Sequence, residues 1–261
     1  MNLKELSKKE RFEYLRQNEK ALKAEKMAAI KHTTGYSSYS EAKMTAEKSA
    51  SEDDADNMTI DIAANTCMYI DDQYDALAVG AATKSISENL SRGMIYFLKN
   101  HGRRTDDIVG DVLDASYQKV NINDKQVDVL VVKGCARRRR DEKTYELYKD
   151  RMIKQHSIGI QYVKLALAIN DPTDPEHYKT WQATYDSIVN KDVADELGFY
   201  WHVTEFKFYE VSAVLWGSND MTPVIEPSKD TQPDSRKSTI TKEEVKELIT
   251  NQFNELWKKK N

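Results

Sequence analysis

Apolar positions change their period along this chain, and the changes divide it into elements. Val127–Val132 (VDVLVV) is the strongest strand signal, preceded by a turn-like Asn121–Lys125. Ser157–Ile169 (SIGIQYVKLALAI) and Trp201–Leu215 are the other long strand-type runs. In the second of these, alternation puts His202, Thr204, Phe206, Phe208, Glu210, Ser212 and Val214 on one face. Shorter strand signals lie at Thr59–Ile70, Met94–Leu98 and Asp107–Val120, the last interrupted by Gly110 as in a bent or bulged strand.

Helical spacing occurs elsewhere. Residues 1–31 read as one polar helix with a Ser-x-x-Glu capping box at Ser7 and Glu10. Its apolar positions, Phe12, Leu15, Leu22 and Ile30, are sparse, which predicts a weak packing face. Gly80–Leu90 reads as a short helix with Ala82, Ile86 and Leu90 on one side. Tyr145, Tyr148 and Met152 recur at helical spacing, and Asp171–Asp195, with Pro172 and Pro175, reads as an insertion containing some helix. Thr241–Lys259 is amphipathic, capped by Thr241 and Glu244, with Val245, Leu248, Ile249, Phe253 and Leu256 as its stripe. Residues 35–58 and 218–237 are polar and read as linkers.

The pattern predicts an all-β or α+β body, a barrel or sandwich rather than a parallel α/β sheet, between helical arms. The divisions are 1–58 (helical arm and linker), 59–223 (body) and 224–261 (linker and C-terminal helix).

Composition narrows the function classes. Among 261 residues the net charge is -4, which argues against a general nucleic-acid coat and its basic face. No apolar run approaches the ~20 residues of a membrane span, and Met1–Lys26 lacks a signal-peptide core. Cys67 and Cys135 have no CxxC spacing, so two thiols in a reducing cytoplasm are expected, not a disulfide or zinc site.

Three residues stand out chemically. Of the five histidines, His101 follows the short apolar strand MIYFL and precedes the polar turn GRRTDD, a setting that suits proton transfer; most lone histidines are only core or surface residues. Ser157 starts a buried-looking strand, and the small Gly159 beside it would let a substrate backbone approach. Glu210 lies inside an apolar run, where a carboxylate is costly unless paired. It is either an edge-strand residue facing water or an acid that orients a histidine. There is no GxSxG, HExxH, P-loop or EF-hand pattern, and Asp71, Asp72 and Asp75 lack the other calcium-loop ligands. Arg137–Arg140 reads as a solvated face, although it could touch nucleic acid or an acidic partner.

Taken in order, these segments resemble the prohead (capsid-maturation) serine proteases of tailed phages, which are similar in fold to the herpesvirus assembly proteases. The matching positions are Asp72, Asp75, Gly80 and Ala81, then His101 with Val109-Gly110, then Ser157-Ile158-Gly159, then Glu210-Val211-Ser212 with Glu205 upstream. The resemblance spans residues 62–222. Gly217-Ser218-Asn219 departs from the family's Pro-Ala-Asn, Tyr74 stands where glycine is common, and the Asp171–Asp195 segment is long.

The resemblance implies a β-barrel flanked by short helices and a serine endopeptidase without a cofactor. In it Ser157 is the nucleophile, His101 the base and Glu210 the orienting group; His202 or Glu205 would be the alternatives for that last role. It implies cleavage of scaffold, of major capsid protein extensions and of the protease itself, inside a prohead assembling in the bacterial cytoplasm. A homo-oligomer fits this setting, whereas membrane and specific nucleic-acid partners do not. The rival expectation is a non-catalytic capsid-assembly or scaffolding protein that keeps the fold.

Overall fold

Val, Ile, Tyr and Phe at alternating positions suit a pleated surface buried on one side, and the long apolar runs take that form. The computed structural model describes residues 3–28, 30–32, 56–122 and 125–215. Its strands are β1 (Lys31–His32), β2 (Asn57–Thr66), β3 (Asp75–Leu77), β4 (Tyr96–Lys99), β5 (Ile108–Ile122), β6 (Lys125–Arg137), β7 (Gln155–Ile169) and β8 (Phe199–Val214). Its helices are α1 (Lys8–Ala28), α2 (Thr83–Asn89), α3 (Glu142–Lys149), α4 (Pro175–Thr184) and α5 (Lys191–Leu197). Among the described residues no helix is long and apolar enough to cross a membrane.

All eight strands belong to one mixed sheet in the order β1-β7-β8-β4-β5-β6-β2, with β3 pairing β8 off that path. β3 and β4 run parallel to β8; the other pairs are antiparallel. The fold is α+β, as the pattern predicts.

The expected barrel does not form. β1 and β2 are the two edges and are not paired with each other. The described part of β1 has two residues, and α1 and α4 also lie against β7, so among the described residues no ladder completes a cylinder there. The sheet curls without closing: Ile60 and Ile62 of β2 share one core with Ile158 and Ile160 of β7 and with Phe206 and Phe208 of β8.

α1 is not a detached arm. Its capping box forms, with Ser7 N–H donating to Glu10 Oε2 at 3.0 Å and Glu10 N–H donating to Ser7 Oγ at 3.3 Å. The sparse apolar positions suffice, because Phe12 and Leu15 are both buried. Arg11 donates to Leu197 O at 2.6 Å and Lys8 to Asp195 O at 2.6 Å, so two cations meet the carbonyl end of α5. Gly198 ends that helix at φ 72, and a Cβ there would lie 2.7 Å from Phe12 Cζ. Farther along, Arg16 pairs with Asp171 and Asp174, and Lys26 reaches the buried Asp75 at 2.5 Å.

Other expectations hold or shift in detail. β5 is irregular beside Gly110, as expected: its register with β4 shifts between Gly110 and Ile108, and a second shift, with β6, lies between Val112 and Asp114. Met152 lies beyond α3 and is exposed. Arg137, read as part of a solvated face, pairs with Asp111 and donates to Asn57 Oδ1 at 3.0 Å. The described residues fall within the compact unit Met1–Glu226; the 218–237 linker and the Thr241–Lys259 helix lie outside the described residues.

Candidate functional site

β4 ends at Lys99, and the next two residues, Asn100 and His101, both adopt the left-handed region at φ 52 and 53. Gly102 N–H donates to Lys99 O at 2.9 Å and closes the turn. Asparagine tolerates this conformation; for histidine it costs roughly 1–2 kcal/mol. The turn is held by neighbours: Asn100 N–H donates to Ala213 O at 2.9 Å, and His101 N–H donates to Ser212 Oγ at 3.1 Å. His101 is thereby folded back over the end of β8.

On β8, Glu210 and Ser212 share a face because they are two residues apart. Their partners on β7 are Gly159 and Ser157, and on β4 Tyr96 and Leu98. Directly paired residues of an antiparallel ladder point to the same side, with Cα atoms ~4.5–5.5 Å apart. Ser157, Ser212 and Glu210 therefore lie on one side of the sheet, under the His101 turn.

Glu210 Oε1 lies 2.7 Å from His101 Nδ1, and Ser212 donates to Glu210 Oε2 at 2.5 Å. Glu210 is 4% exposed and Ser157 3%. The reading of Glu210 as an edge residue facing water is overturned: β8 is interior to the sheet, and burial makes the imidazole contact necessary. Gly159 explains how the carboxylate reaches across, since a Cβ there would stand 2.1 Å from Glu210 Oε1. The small residue next to Ser157 thus makes room for Glu210.

The two alternatives to Glu210 lie elsewhere. His202 is eight residues up β8, roughly 26 Å along a strand, opposite Ala166 and Ala76. Burial lowers its pKa. Glu205 is held by Lys164, whose hydrogen bond lowers its pKa. His156, beside Ser157, lies on the opposite face, 2.8 Å from the Tyr148 hydroxyl, and burial pushes its pKa down to about 3. It stays neutral and structural.

A cavity of about 390 Å³ adjoins the His101–Glu210 pair. Tyr96, Leu98, Ile108 and Tyr209 give it apolar walls, and Arg103 and Arg104 also line it.

The acidic cluster near the start of the body does other work. Asp71 Oδ1 accepts from the N–H groups of Gln73 and Asp75 at 2.9 Å each, and Asp75 accepts from the Tyr162 hydroxyl at 2.6 Å. Burial, reinforced by the Asp75 charge, holds the Asp71 carboxyl well above the usual carboxylate range. Among the described residues no three His, Cys, Asp or Glu side chains gather to hold a metal ion. Cys67 and Cys135 are both buried, and burial pushes the Cys67 thiol up to about 12.

Comparison with family models, with curated proteins and with solved structures found no match. The geometry alone bears on what the site does.

Sequence reasoning named His101, Ser157 and Glu210 but gave Ser212 and Gly159 no such part in the site. Ser212 was legible to the extent that it shares a strand face with Glu210. Its contact with His101 depends on the turn, which no local pattern announces.

Proposed function

We propose that this protein is a serine endopeptidase of the prohead-maturation type. One observation carries the reading: a buried carboxylate, Glu210, 2.7 Å from Nδ1 of His101, on the sheet face shared with Ser157. A carboxylate at Nδ1 keeps the proton there and leaves the Nε2 lone pair to act as base.

In the reaction, Nε2 takes the Ser157 hydroxyl proton as Oγ attacks the peptide carbonyl. Glu210 stabilises the imidazolium that forms. His101 returns the proton to the departing amine, leaving an acyl-serine. Water then repeats the sequence, giving its proton to Nε2 and releasing the acid and Ser157. Burial of the pair strengthens each of these contacts.

The substrates proposed are scaffold protein, major capsid protein extensions and the protease's own exposed segments, within an assembling prohead. Co-expression with neighbouring coat and scaffold proteins tests this, with products read by mass spectrometry. Cleavage by the wild type and none by Ser157→Ala supports the reading. Intact partners with both proteins overturn it in favour of a non-catalytic assembly role.

A further inference from the structure

Among the described residues, two residues of a neighbouring strand pair with the outer edge of the strand that carries Ser157. β1 pairs antiparallel with β7, Lys31 opposite Ile160 and His32 opposite Gly159. The chain in β1 therefore runs toward Ser157, which lies two residues beyond the Gly159 pairing. Ile30, immediately before β1, lines the cavity that also holds His101 and Glu210. Gly159 lies between the two features, because it faces His32 on one side and Glu210 on the other.

A short strand added to a sheet edge, with one side chain in an adjoining apolar pocket, is how extended peptides are recognised. The ladder supplies affinity regardless of sequence, and the pocket selects the side chain. Ile30 lines that pocket and remains 38% exposed.

We propose that the β7 edge beside Ser157, with its cavity, is a docking site for an extended peptide bearing an aliphatic side chain, and that Ile30–His32 is its intramolecular occupant. The aliphatic side chain enters between Tyr96, Leu98, Ile108 and Tyr209. A peptide in this register meets Ser157 two residues beyond the position that His32 holds. The proposal builds on the reading of Ser157 as nucleophile only in assigning the docked peptide as substrate. Tethering gives the resident segment an effective concentration of order millimolar, so it suppresses binding of free peptide.

The test is fluorescence anisotropy with a labelled peptide of sequence AAIKHTT, which copies residues 28–34. It is titrated with the full chain carrying Ser157→Ala, and with the same chain also carrying Ile30→Asp or Ile30→Ser. Both Ile30 variants are expected to bind at least about tenfold more tightly than the parent, through loss of the tethered competitor. The peptide AADKHTT is expected not to bind, and Ile108→Asp added to the Ile30→Ser chain is expected to abolish binding of AAIKHTT. Equal affinity for parent and variants, no binding by either variant, or equal binding of AADKHTT overturns the proposal. Labelling of Ser157 by a serine-directed phosphonate in the wild type reads the nucleophile separately. Labelling without peptide binding removes only the docking site; binding without labelling removes only the protease reading.

Discussion

A buried glutamate is stable here because three groups share it: the His101 ring, the Ser212 hydroxyl, and the space left by Gly159. Each makes a separate prediction. Glu210→Gln keeps the volume but removes the charge that, in the proposed reaction, holds the imidazolium. It is expected to lower kcat roughly 10³- to 10⁴-fold, with a thermal transition close to that of the wild type. Ser212→Ala removes one bond to Glu210 and one to the His101 backbone. In the proposed mechanism Ser212 is a positioning residue, so kcat is expected to fall about tenfold with KM nearly unchanged, the equivalent of ~1.4 kcal/mol. Gly159→Ala forces a methyl group against Glu210 Oε1, and a stability loss of about 1–3 kcal/mol in chemical denaturation should accompany loss of turnover. His101 and Glu210 were legible because each sits where its residue type is unusual, at a strand end and inside an apolar run. The part played by Gly159 was not legible, because it depends on which residue of another strand lies opposite.

At the scale of elements, the strands were legible and the N-terminal helix only half so. Alternation over β6, β7 and β8 identifies them without reference to anything distant. The capping box likewise marks the start of α1. The docking of α1 was hidden because polar contacts do much of it: Arg11 and Lys8 on the end of α5, Arg16 on Asp171 and Asp174, and Glu19 on His177. Leu15 is fully buried, and Leu15→Ala is expected to cost about 2–5 kcal/mol, measured by denaturant unfolding. The α1–α4 contact is also pH-dependent. Burial by itself lowers the His177 pKa, but hydrogen bonds from its ring to Asp174 and Glu19, together with their charges, outweigh that and hold it above the ordinary value. A histidine with a raised folded-state pKa stabilises fully below its unfolded value of about 6.5, and the contribution fades as pH rises through the folded value. The Tm gap between wild type and His177→Gln should therefore be larger at pH 6 than at pH 9. A gap that grows with pH would contradict this.

For the molecule as a whole, strand content was readable and closure was not. Alternation says which face of a strand is buried but not which strands become edges. β4 beside β8 in parallel, and a two-residue β1 at one edge, follow from long-range pairing choices that leave no local mark. The start of β7 pairs with the part of β8 whose Glu210 and Ser212 hold the His101 turn. In the proposed reaction Ser157, His101 and Glu210 act together. The most direct measurement is the rate at which a serine-directed diphenyl phosphonate modifies the protein, followed by intact mass and peptide mapping in wild type, His101→Ala and Glu210→Gln. One adduct on Ser157, forming at least ~100-fold more slowly in both variants, is the predicted result. No adduct on Ser157, or an adduct whose rate is indifferent to His101 and Glu210, would contradict it.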